Sequence, residues 1–486
     1  MKRVVIIGGG LGGLASATRL AVQGHHVTLC EAGPTLGGKM NTFESRGFRF
    51  DTGPSLITMP GVFEETFAAA GERIEEHIKL QRLEPVAEYV WPDGTRLQHG
   101  SSLPQWLEVV RQLEPRDVKG FWKFMKLGAR LLELSNETFL RRAPTEAPDW
   151  RTLRALRFLP LRRAWGNYAR VVSDLFVSPH LRQMFLRYPT YVGSSPWRSP
   201  ATLLVIPYLE YAYGGWFAQG GLYRIVQAIA AIARARGAEL RVNAPVEGIE
   251  AASGRVKSVR LHDGTRLEAD VVVMNGDASM LARLMKSPTD KGLPPEQRSM
   301  SGFLTLAGLP REVPGLHHHT VFFSADYEHE FRQLMDEARF PDDPTVYVNA
   351  PSRSDRSLVP GDGETLFIMA NAPARAEPWD DAATREALSR VFARLRASGF
   401  HAIDAELPVL EKWTPRRIEQ AYRMPGGAIY GRHSHGWRGA FMRPANRQRT
   451  RGLYVVGGSG HPGGGTPTVL LSAKITSELI AKHERD

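Results

Sequence analysis

The sequence is poor in cysteine and lacks long apolar runs. Cys30 is the one cysteine among 486 residues, so an intramolecular disulfide and a cysteine-based metal site are both excluded. Because Cys30 ends an apolar segment, we expect it to fill space in the core rather than to act as a nucleophile. No uncharged apolar stretch reaches about 18 residues, which excludes a membrane-spanning helix. The apolar stretch at 201–218 is interrupted by Pro207 and Glu210.

The composition also lacks the marks of a disordered or repetitive chain. Hydrophobic residues make up 42% and charged residues 23% of the sequence, as in an ordinary globular protein. The N-terminal apolar run at 4–7 is too short for the core of a signal peptide. Positive charge is in excess, with a formal net charge of +11. This excess favours an anionic partner, either nucleic acid or an acidic lipid surface.

The first thirty residues read as a strand, a helix and a second strand. The apolar run at 3–7 ends in glycines, which indicates a buried strand followed by a tight turn. Residues 11–23 have apolar side chains at helical spacing, and Gly24 ends that pattern. Residues 26–30 form the next predicted strand. The sequence therefore predicts a βαβ opening.

A glycine motif lies at the turn between that first strand and the helix. Gly8, Gly10 and Gly13 have the spacing in which glycines permit a tight turn, close approach to a pyrophosphate and close packing of helix on strand. The pyrophosphate of a dinucleotide would lie at the helix N-terminus. Glu31 follows the second strand, where an acid hydrogen-bonds the ribose of the adenosine half. These four residues predict a dinucleotide site.

Related patterns recur in the middle and at the end of the chain. Gly220 and Gly221 precede a predicted helix at 222–236, followed by short strands up to 274. A strand near 453–456 runs into glycines and a helix at about 468–483. We therefore predict a discontinuous nucleotide-binding domain from 1–75, 214–298 and 440–486. Residues 76–213 and 299–439 are assigned to a substrate-binding domain.

Further glycines and a cation follow Glu31. Gly37, Gly38 and Lys39 place a basic side chain just beyond the acid, where it can reach a pyrophosphate or a flavin ring. The block at 47–55, Gly-Phe-Arg-Phe-Asp-Thr-Gly-Pro-Ser, comes next. These segments favour FAD over NAD as the dinucleotide.

At this point the sequence resembles the bacterial-type phytoene desaturase family of the flavin amine oxidase superfamily. The resemblance covers nearly the whole chain and is strongest in the block at 452–467, Gly-Leu-Tyr-Val-Val-Gly-Gly-Ser-Gly-His-Pro-Gly-Gly-Gly-Thr-Pro. It also includes the segments at 191–193, 220–222, 318–327, 347–361, 427–431 and 443–444.

The resemblance implies an α/β fold with a Rossmann-like FAD-binding domain of the glutathione reductase and amine oxidase type. A mixed substrate domain and a helical membrane-associating subdomain at 105–180 complete the expected architecture. The cofactor is expected to be FAD, and no metal is expected. The positions that match the family's FAD-binding residues are Gly8, Gly10, Gly13, Glu31, Gly38, Lys39, Gly53, Pro54, Ser55, Val246, Gly457, Gly458, Pro467, Thr468 and Val469.

The function implied by the resemblance is desaturation of a carotenoid. An FAD-dependent enzyme would introduce double bonds into an acyclic carotenoid of the phytoene, diapophytoene or hydroxycarotenoid type, with quinone or oxygen as electron acceptor. Two alternatives stay open. One is a flavin-dependent carotenoid oxygenase or ketolase, and the other is a non-catalytic prenyl- or carotenoid-binding protein on the same scaffold.

Two groups of histidines are candidates for chemistry. His461 is the titratable side chain inside the glycine-rich loop at 457–465. It is either a catalytic proton acceptor or ring positioner, or a turn histidine bonded to backbone. His317, His318 and His319 suggest a metal cluster, but successive residues on a strand point to opposite faces, so three in a row are not expected to bind one ion.

Basic and aromatic residues in the helical segment suggest contact with a membrane surface. Residues 121–132 place Phe121, Phe124 and Leu131 on one predicted helical face, and residues 151–170 carry six arginines and no acid. Such segments suit an interfacial helix on anionic lipid, although an ordinary helix packed on the body of the protein is the alternative. A nucleic-acid surface is disfavoured because no recognisable module is present. We expect a cytoplasmic protein that associates peripherally with the membrane.

Overall fold

The computed structural model describes residues 1–146, 166–288, 292–375, 379–401 and 409–484. The described strands are β1 Arg3–Ile7, β2 His26–Cys30, β3 Thr42–Ser45, β4 Phe48–Asp51, β5 Leu80–Arg82, β6 Ala87–Val90, β7 Arg96–His99, β8 Trp216–Ala218, β9 Glu239–Arg241, β10 Val246–Ala252, β11 Arg255–Leu261, β12 Arg266–Glu268, β13 Val271–Met274, β14 Ser301–Leu309, β15 His319–Phe322, β16 Val346–Asn349, β17 Glu364–Ala372, β18 Val409–Trp413 and β19 Leu453–Val455.

Helices occur along the whole of the described chain. The described α-helices are α1 Leu11–Val22, α2 Pro60–Ala68, α3 Leu103–Leu113, α4 Asp117–Ser135, α5 Tyr168–Leu175, α6 Pro179–Leu186, α7 Val205–Tyr213, α8 Tyr223–Ala235, α9 Leu281–Leu284, α10 Tyr327–Met335, α11 Asp381–Ala397, α12 Pro415–Tyr422, α13 Gly436–Phe441 and α14 Thr466–His483.

A parallel sheet joins residues that are far apart in the sequence. Its strand order is β19-β13-β1-β2-β9, and all its strands fall within the segments 1–75, 214–298 and 440–486. Val4 is paired with Val27 on one side and Val271 on the other. Val4 and Ile6 pack with residues of α1, α8 and α14, whereas Val5 and Ile7 pack against β10 and β11 of a small antiparallel sheet. Both faces of the sheet are therefore covered, as expected for continuous apolar strands.

Cys30 lies in the second of these apolar layers. Its side chain is buried, and burial raises the pKa of the thiol to about 11. A buried, protonated thiol is a poor nucleophile. The prediction that Cys30 fills the core is confirmed.

A second, mixed sheet forms the other half of the molecule. Its order is β18-β14-β17-β16-β15-β6-β7, with β15 and β6 parallel. Side chains alternate between its faces, so Val90 and Val348 pack toward α11, while Tyr89 and Val321 face an aromatic layer beneath helices α3 to α7. This aromatic layer includes Trp106, Tyr168, Phe176, Phe185 and Tyr188.

Helix α4 is part of this layer rather than a free amphipathic helix. Phe121 and Phe124 are fully buried, and Leu131 is 2% exposed. The expectation that this apolar face contacts lipid is therefore wrong. The helix packs on the body of the protein because its glycines allow close approach: a Cβ on Gly128 would lie 2.5 Å from the Cβ of Tyr208 in α7.

Two further expectations concern the membrane: the basic segment at 151–170 and the lack of a membrane-spanning helix. Residues 151–165, which carry most of the arginines of the basic segment, lie outside the described residues. Among the helices of the described ranges, none has both the length and the apolar character needed to cross a bilayer.

Gly120 of α4 allows a test of this packing. A Cβ at Gly120 would lie 1.9 Å from the carbonyl oxygen of Leu175, so Gly120→Ala should lower the free energy of unfolding by about 2 kcal/mol or more through overpacking. Gly61 of α2 is the matched control, since a Cβ there meets no atom within 4 Å. Gly61→Ala should stabilise the protein by about 0.5–1 kcal/mol. Thermal unfolding midpoints measure both effects, and equal midpoints would contradict the packing described.

Candidate cofactor-binding and active site

The turn after β1 leaves the N-terminus of α1 open. Gly8 adopts a φ of +102°, and Gly10 precedes the helix without a capping side chain. A Cβ at Gly13 would lie 2.1 Å from the carbonyl oxygen of Gly8, so strand and helix approach as closely as only glycine permits. The first turn of α1 also carries no acidic residue. Uncapped amides in a first turn that carries no acidic residue form a site for a phosphate group.

Glu31 lies beside this turn, at the end of β2. One carboxylate oxygen accepts a hydrogen bond from the Gly9 amide at 2.6 Å, and the other accepts from the Gly33 amide at 2.8 Å. The Ala244 amide donates to the backbone oxygen of Glu31 at 2.8 Å, which places the start of β10, at Val246, next to the acid. The residues predicted to hold the adenosine half are thus neighbours in the structure.

The second glycine pair packs directly on the first motif. The Gly37 amide donates to the backbone oxygen of Gly9 at 2.8 Å, and a Cβ at Gly38 would lie 3.2 Å from the Cα of Gly10. Lys39 follows, and a Cβ at Gly53 would lie 1.7 Å from its carbonyl oxygen. This contact fixes the Gly53–Pro54–Ser55 turn against the lysine backbone.

The Lys39 side chain is directed into the protein. Its Nζ donates to the backbone oxygen of Ile429, and burial lowers the pKa of this amine below its ordinary value. Asp277 is a nearby opposing charge that favours the protonated form. The cation is therefore held between the first and the last thirds of the chain.

The glycine-rich loop after β19 closes on the same site. Gly457 has a φ of +103°, and α14 begins at Thr466 with Pro467 in its first turn. The Thr468 hydroxyl donates to the backbone oxygens of Gly464 and Gly465, both at 2.8 Å. A Cβ at Gly458 would lie 3.8 Å from the Val469 side chain.

Asn275 joins the two ends of the chain, and sequence reasoning missed it. Its side-chain amide donates to the backbone oxygen of Gly8 at 3.0 Å. A Cβ at Gly12 would lie 2.6 Å from its side-chain oxygen, and a Cβ at Gly457 would lie 2.9 Å from the same atom. The signal that could have identified Asn275 is its position directly after β13, because ligands of parallel sheets bind at the carboxyl ends of the strands.

Asp277 and Arg443 were also absent from the predicted set. One oxygen of Asp277 is buried and has no hydrogen-bond partner among the residues that the structure describes. Arg443 is 6% exposed and donates to the backbone oxygens of Tyr430 and Gly458 at 3.3 and 3.2 Å. Burial lowers the pKa of its guanidinium to about 10. Arg443 therefore ties the segment at 430 to the glycine-rich loop.

His461 is buried within that loop. Its Nε2 lies 2.8 Å from the backbone oxygens of Phe139 and Arg142, so this nitrogen carries the proton and donates to both. Its Nδ1 has no partner in the described parts of the chain. Burial lowers the pKa of the ring, so it is neutral at pH 7. The geometry matches the alternative in which His461 is bonded to backbone. Within the described residues, the lone pair of its Nδ1 has no donor.

The three adjacent histidines bind separate partners. His318 bonds the Ser354 hydroxyl at 2.6 Å, and His319 bonds the Tyr347 hydroxyl at 2.7 Å. His317 bonds the side chain of Gln98 in β7 at 3.0 Å. Tyr347 also lies 2.6 Å from the Ser55 hydroxyl, which links this polar group to the Gly53–Pro54–Ser55 turn.

These elements fit a bound FAD. The open helix N-terminus suits the pyrophosphate, Glu31 suits a ribose, and the unpaired oxygen of Asp277 is an acceptor for a further hydroxyl. The glycines at 8, 10, 38 and 457 let these segments approach one another more closely than residues with a Cβ would allow.

Residues 11–481 match the family described as flavin containing amine oxidoreductase. The chain belongs to this family, and it is an oxidoreductase that uses FAD, which confirms the resemblance and the cofactor predicted from the motifs.

Relatives of similar length are carotenoid enzymes by name. The chain is 34% identical over 495 residues to a hydroxyneurosporene desaturase of Rubrivivax gelatinosus, covering 99% of this chain and 93% of the relative. It is 33% identical over 485 residues to a zeta-carotene-forming phytoene desaturase of Myxococcus xanthus, covering 99% and 94%. It is 32% identical over 492 residues to a 4,4'-diapolycopene oxygenase of a Methylomonas species, covering 99% and 98%.

Solved structures share the fold at low sequence identity. An oxidoreductase from Methanosarcina mazei aligns with a TM-score of 0.65 at 17% identity, covering 98% of this chain and 100% of that one. A putrescine oxidase variant aligns with a TM-score of 0.63 at 15% identity, covering 99% of both chains. The α/β fold of the flavin amine oxidase type is confirmed.

Glu31 offers a direct test of the cofactor site. Glu31→Ala removes both acceptors of the Gly9 and Gly33 amides, and we expect the purified variant to retain much less FAD. Glu239→Gln is the matched control, because Glu239 lies on the adjacent strand β9 but bonds Arg241 and Thr28. The ratio of flavin to protein absorbance measures retention. Full occupancy in Glu31→Ala would contradict the assignment.

Proposed function

We propose that this protein is an FAD-dependent carotenoid desaturase that introduces double bonds into an acyclic carotenoid. The relatives that it matches over 99% of its length carry carotenoid names. The observation that carries the proposal is that Ser55, which we assign to the FAD site, bonds Tyr347, and that Tyr347 packs against the aromatic layer. An apolar, aromatic layer beside a redox cofactor suits a long hydrocarbon.

Bound FAD supplies a two-electron oxidant that accepts hydride from the substrate. The chain itself orients the polyene and keeps water out. The buried aromatic side chains of the layer supply the apolar contacts, and the loops at 53–55 and 457–465 fix the cofactor's place. Because orientation and exclusion of water account for this work, no strongly basic side chain is required.

The site residues predicted from the resemblance form part of the proposal. Gly8, Gly10, Gly13, Glu31 and Val246 are assigned to the adenosine and pyrophosphate half. The flavin half is assigned to the loops that pack around Lys39 and α14. These assigned residues are Gly38, Lys39, Gly53, Pro54, Ser55, Gly457, Gly458, Pro467, Thr468 and Val469.

His461 has a positioning role in this proposal. Its Nε2 proton is engaged with the backbone oxygens of Phe139 and Arg142, which join the loop to the segment that follows α4. Burial lowers its pKa below the ordinary value, which favours the neutral ring at neutral pH.

A pH–rate profile tests this role. The wild type should show no inflection from His461 near its ordinary pKa of about 6.5. His461→Gln, which keeps a side-chain donor, should retain activity far better than His461→Leu, which leaves both carbonyls unpaired. An inflection near 6.5 that disappears in His461→Gln would show instead that the imidazole moves a proton.

Product mass tests the proposed reaction. The holoenzyme, given a panel of acyclic carotenes with quinone or oxygen as acceptor, should form products that lack two hydrogen atoms per step. Products that gain oxygen would favour the oxygenase reaction, which one relative's name makes the second candidate. Anaerobic mixing gives a separate readout, because desaturation must bleach the flavin absorbance. A protein that binds carotenoid without bleaching would be a binding protein and not a desaturase.

We also propose that the outer face of α4 contacts an anionic membrane surface. Lys119, Lys123 and Lys126 are exposed on this face, and Trp122 among them is 49% exposed. Basic residues around an exposed tryptophan suit the interface of acidic lipids. A substrate dissolved in lipid would then reach the enzyme without crossing water.

Vesicle sedimentation tests the surface. The protein should bind vesicles of phosphatidylglycerol and phosphatidylcholine more strongly than pure phosphatidylcholine, and Trp122→Ala should weaken that binding. Trp437→Ala is the matched control, because Trp437 is 53% exposed on α13. Equal losses in both variants, or no preference for the anionic vesicles, would reject the α4 surface.

A further inference from the structure

Two cations lie close to each other beside the segment at 429–432. Lys39 donates to the backbone oxygen of Ile429, and Arg443 donates to the backbone oxygens of Tyr430 and Arg432. Burial lowers the pKa of the Lys39 amine, and the charge of Arg443 lowers it further, so the two cations are close enough to repel each other. Their acceptors are neutral oxygens, so these bonds leave both charges without an ionic partner.

Asp277 is the carboxylate that opposes both cations. Against the larger effect of burial, its charge favours the protonated forms of Lys39 and Arg443. One oxygen of Asp277 accepts from the amide and the hydroxyl of Ser279, and the next amide along the chain donates to the Ser459 hydroxyl of the glycine-rich loop at 2.8 Å. One carboxylate cannot balance two cations, so one positive charge stays unbalanced in the described part of the chain.

Lys39 lies on the wall of a cleft and not in the sealed core. It is intermediate in exposure, although burial dominates its pKa. Tyr430 shows the same combination, because it is intermediate in exposure and burial raises its pKa to about 12. A side chain has both properties where it lines a deep cleft, since the surrounding protein limits its hydration. The cleft borders the glycine-rich loop, because a Cβ at Gly464 would lie 2.6 Å from the Tyr430 ring.

The two cations are attached to the segments of the cofactor cradle. Lys39 follows Gly38, and a Cβ at Gly38 would lie 3.2 Å from the Cα of Gly10 in the phosphate-binding turn. Arg443 donates to the backbone oxygen of Gly458 at 3.2 Å. The unbalanced positive charge therefore lies at the proposed FAD site.

An unbalanced buried cation is costly until an anion pairs it. Bound FAD offers two anionic groups. Its diphosphate is charged in both redox states, whereas its ring system gains a negative charge only on reduction. The uncapped amides of α1 already suit the diphosphate, and the donors of Lys39 and Arg443 are directed to other segments, at 429–432 and 458. The reduced ring is therefore the better match.

We infer that Lys39, Arg443 and Asp277 form a charge set that stabilises the reduced, anionic form of the bound FAD and so makes the cofactor a stronger oxidant. The inference rests on the proposed function, because it uses the assignment of Lys39 to the flavin half of the site. It adds Arg443 and Asp277 as residues that set the reduction potential through their charge, whose effect is strong where water is excluded.

Hydride transfer produces the charge that this set would stabilise. One C–H bond of the substrate breaks, and its hydrogen and electron pair go to FAD, which becomes FADH−. The neighbouring carbon loses a proton to water, and the electron pair left behind forms the second bond of the new C=C. One negative charge therefore appears on the cofactor for each double bond formed.

Reduction potentials of the holoenzyme test the inference without any carotenoid. Xanthine and xanthine oxidase reduce the purified protein slowly beside a dye of known potential, and absorbance reports the redox state of both. Lys39→Gln and Arg443→Gln each remove one positive charge and keep a side-chain donor. Each should lower the equilibrium constant for two-electron reduction about tenfold, as for one charge acting across roughly 12 Å at an effective dielectric constant of about 20. This change is a fall of about 30 mV in potential.

Further variants separate charge from packing. Asp277→Asn removes the opposing charge but keeps an oxygen for the Ser279 amide, so it should raise the same equilibrium constant. Arg443→Lys keeps the charge and should stay close to the wild type. Arg432→Gln is the surface control, because Arg432 is exposed and bonds Gln297. Since solvent and salt screen its charge, this variant should leave the potential unchanged.

The inference requires shifts of opposite sign. Unchanged potentials in the two Gln variants, or a shift of Asp277→Asn in the same direction as theirs, would overturn it. Loss of FAD on desalting, with an unchanged potential in the fraction that keeps FAD, would show that the cations bind the diphosphate and would also overturn it. If Arg443→Gln does not fold, Lys39→Gln and Asp277→Asn decide by their signs.

The result is separable from the proposed reaction. Potentials that shift as expected, in an enzyme that desaturates no carotene, would reject the proposed function and leave the charge set in place. Unshifted potentials, in an enzyme that does desaturate carotenes, would overturn this inference alone.

Discussion

The amide of Asn275 is the contact on which the cofactor site depends. It bonds the backbone of Gly8, and its oxygen limits the space at Gly12 and Gly457. The turn at Gly8 and the loop at Gly457 are thereby held at a fixed distance from each other. Glycine is required on both sides because any Cβ would displace this side chain, so the motif and Asn275 form one steric unit.

The two sheets support different parts of the proposed site. The carboxyl ends of β1, β13 and β19 in the parallel sheet lie at the proposed dinucleotide site. The mixed sheet directs Tyr89, Val321 and its other inward residues toward the aromatic layer. Lys39 and Arg443 connect the halves by donating to backbone oxygens at 429, 430 and 458. Since these bonds are to backbone, they fix the chain's path without depending on the identity of the side chains they reach.

Much of the cofactor half could be predicted from sequence because its signals are local. The spacing of Gly8, Gly10 and Gly13 predicted the turn, and the apolar runs predicted the strands β1, β2 and β13. The helix at 121–132 was harder, because an apolar stripe looks the same whether it faces lipid or a neighbouring helix. The contacts of Asn275 and Arg443 join distant segments, which spacing along the chain does not reveal, although the position of Asn275 directly after β13 was a usable signal.

The order of the strands has a consequence for synthesis. β19 pairs with β13, and α14 packs on α1, yet both come from the last 35 residues. A chain still on the ribosome therefore exposes the edge of β13 and an incomplete nucleotide cradle. Until residues 453–483 have been made, the nascent protein needs protection from pairing of the β13 edge with neighbouring chains.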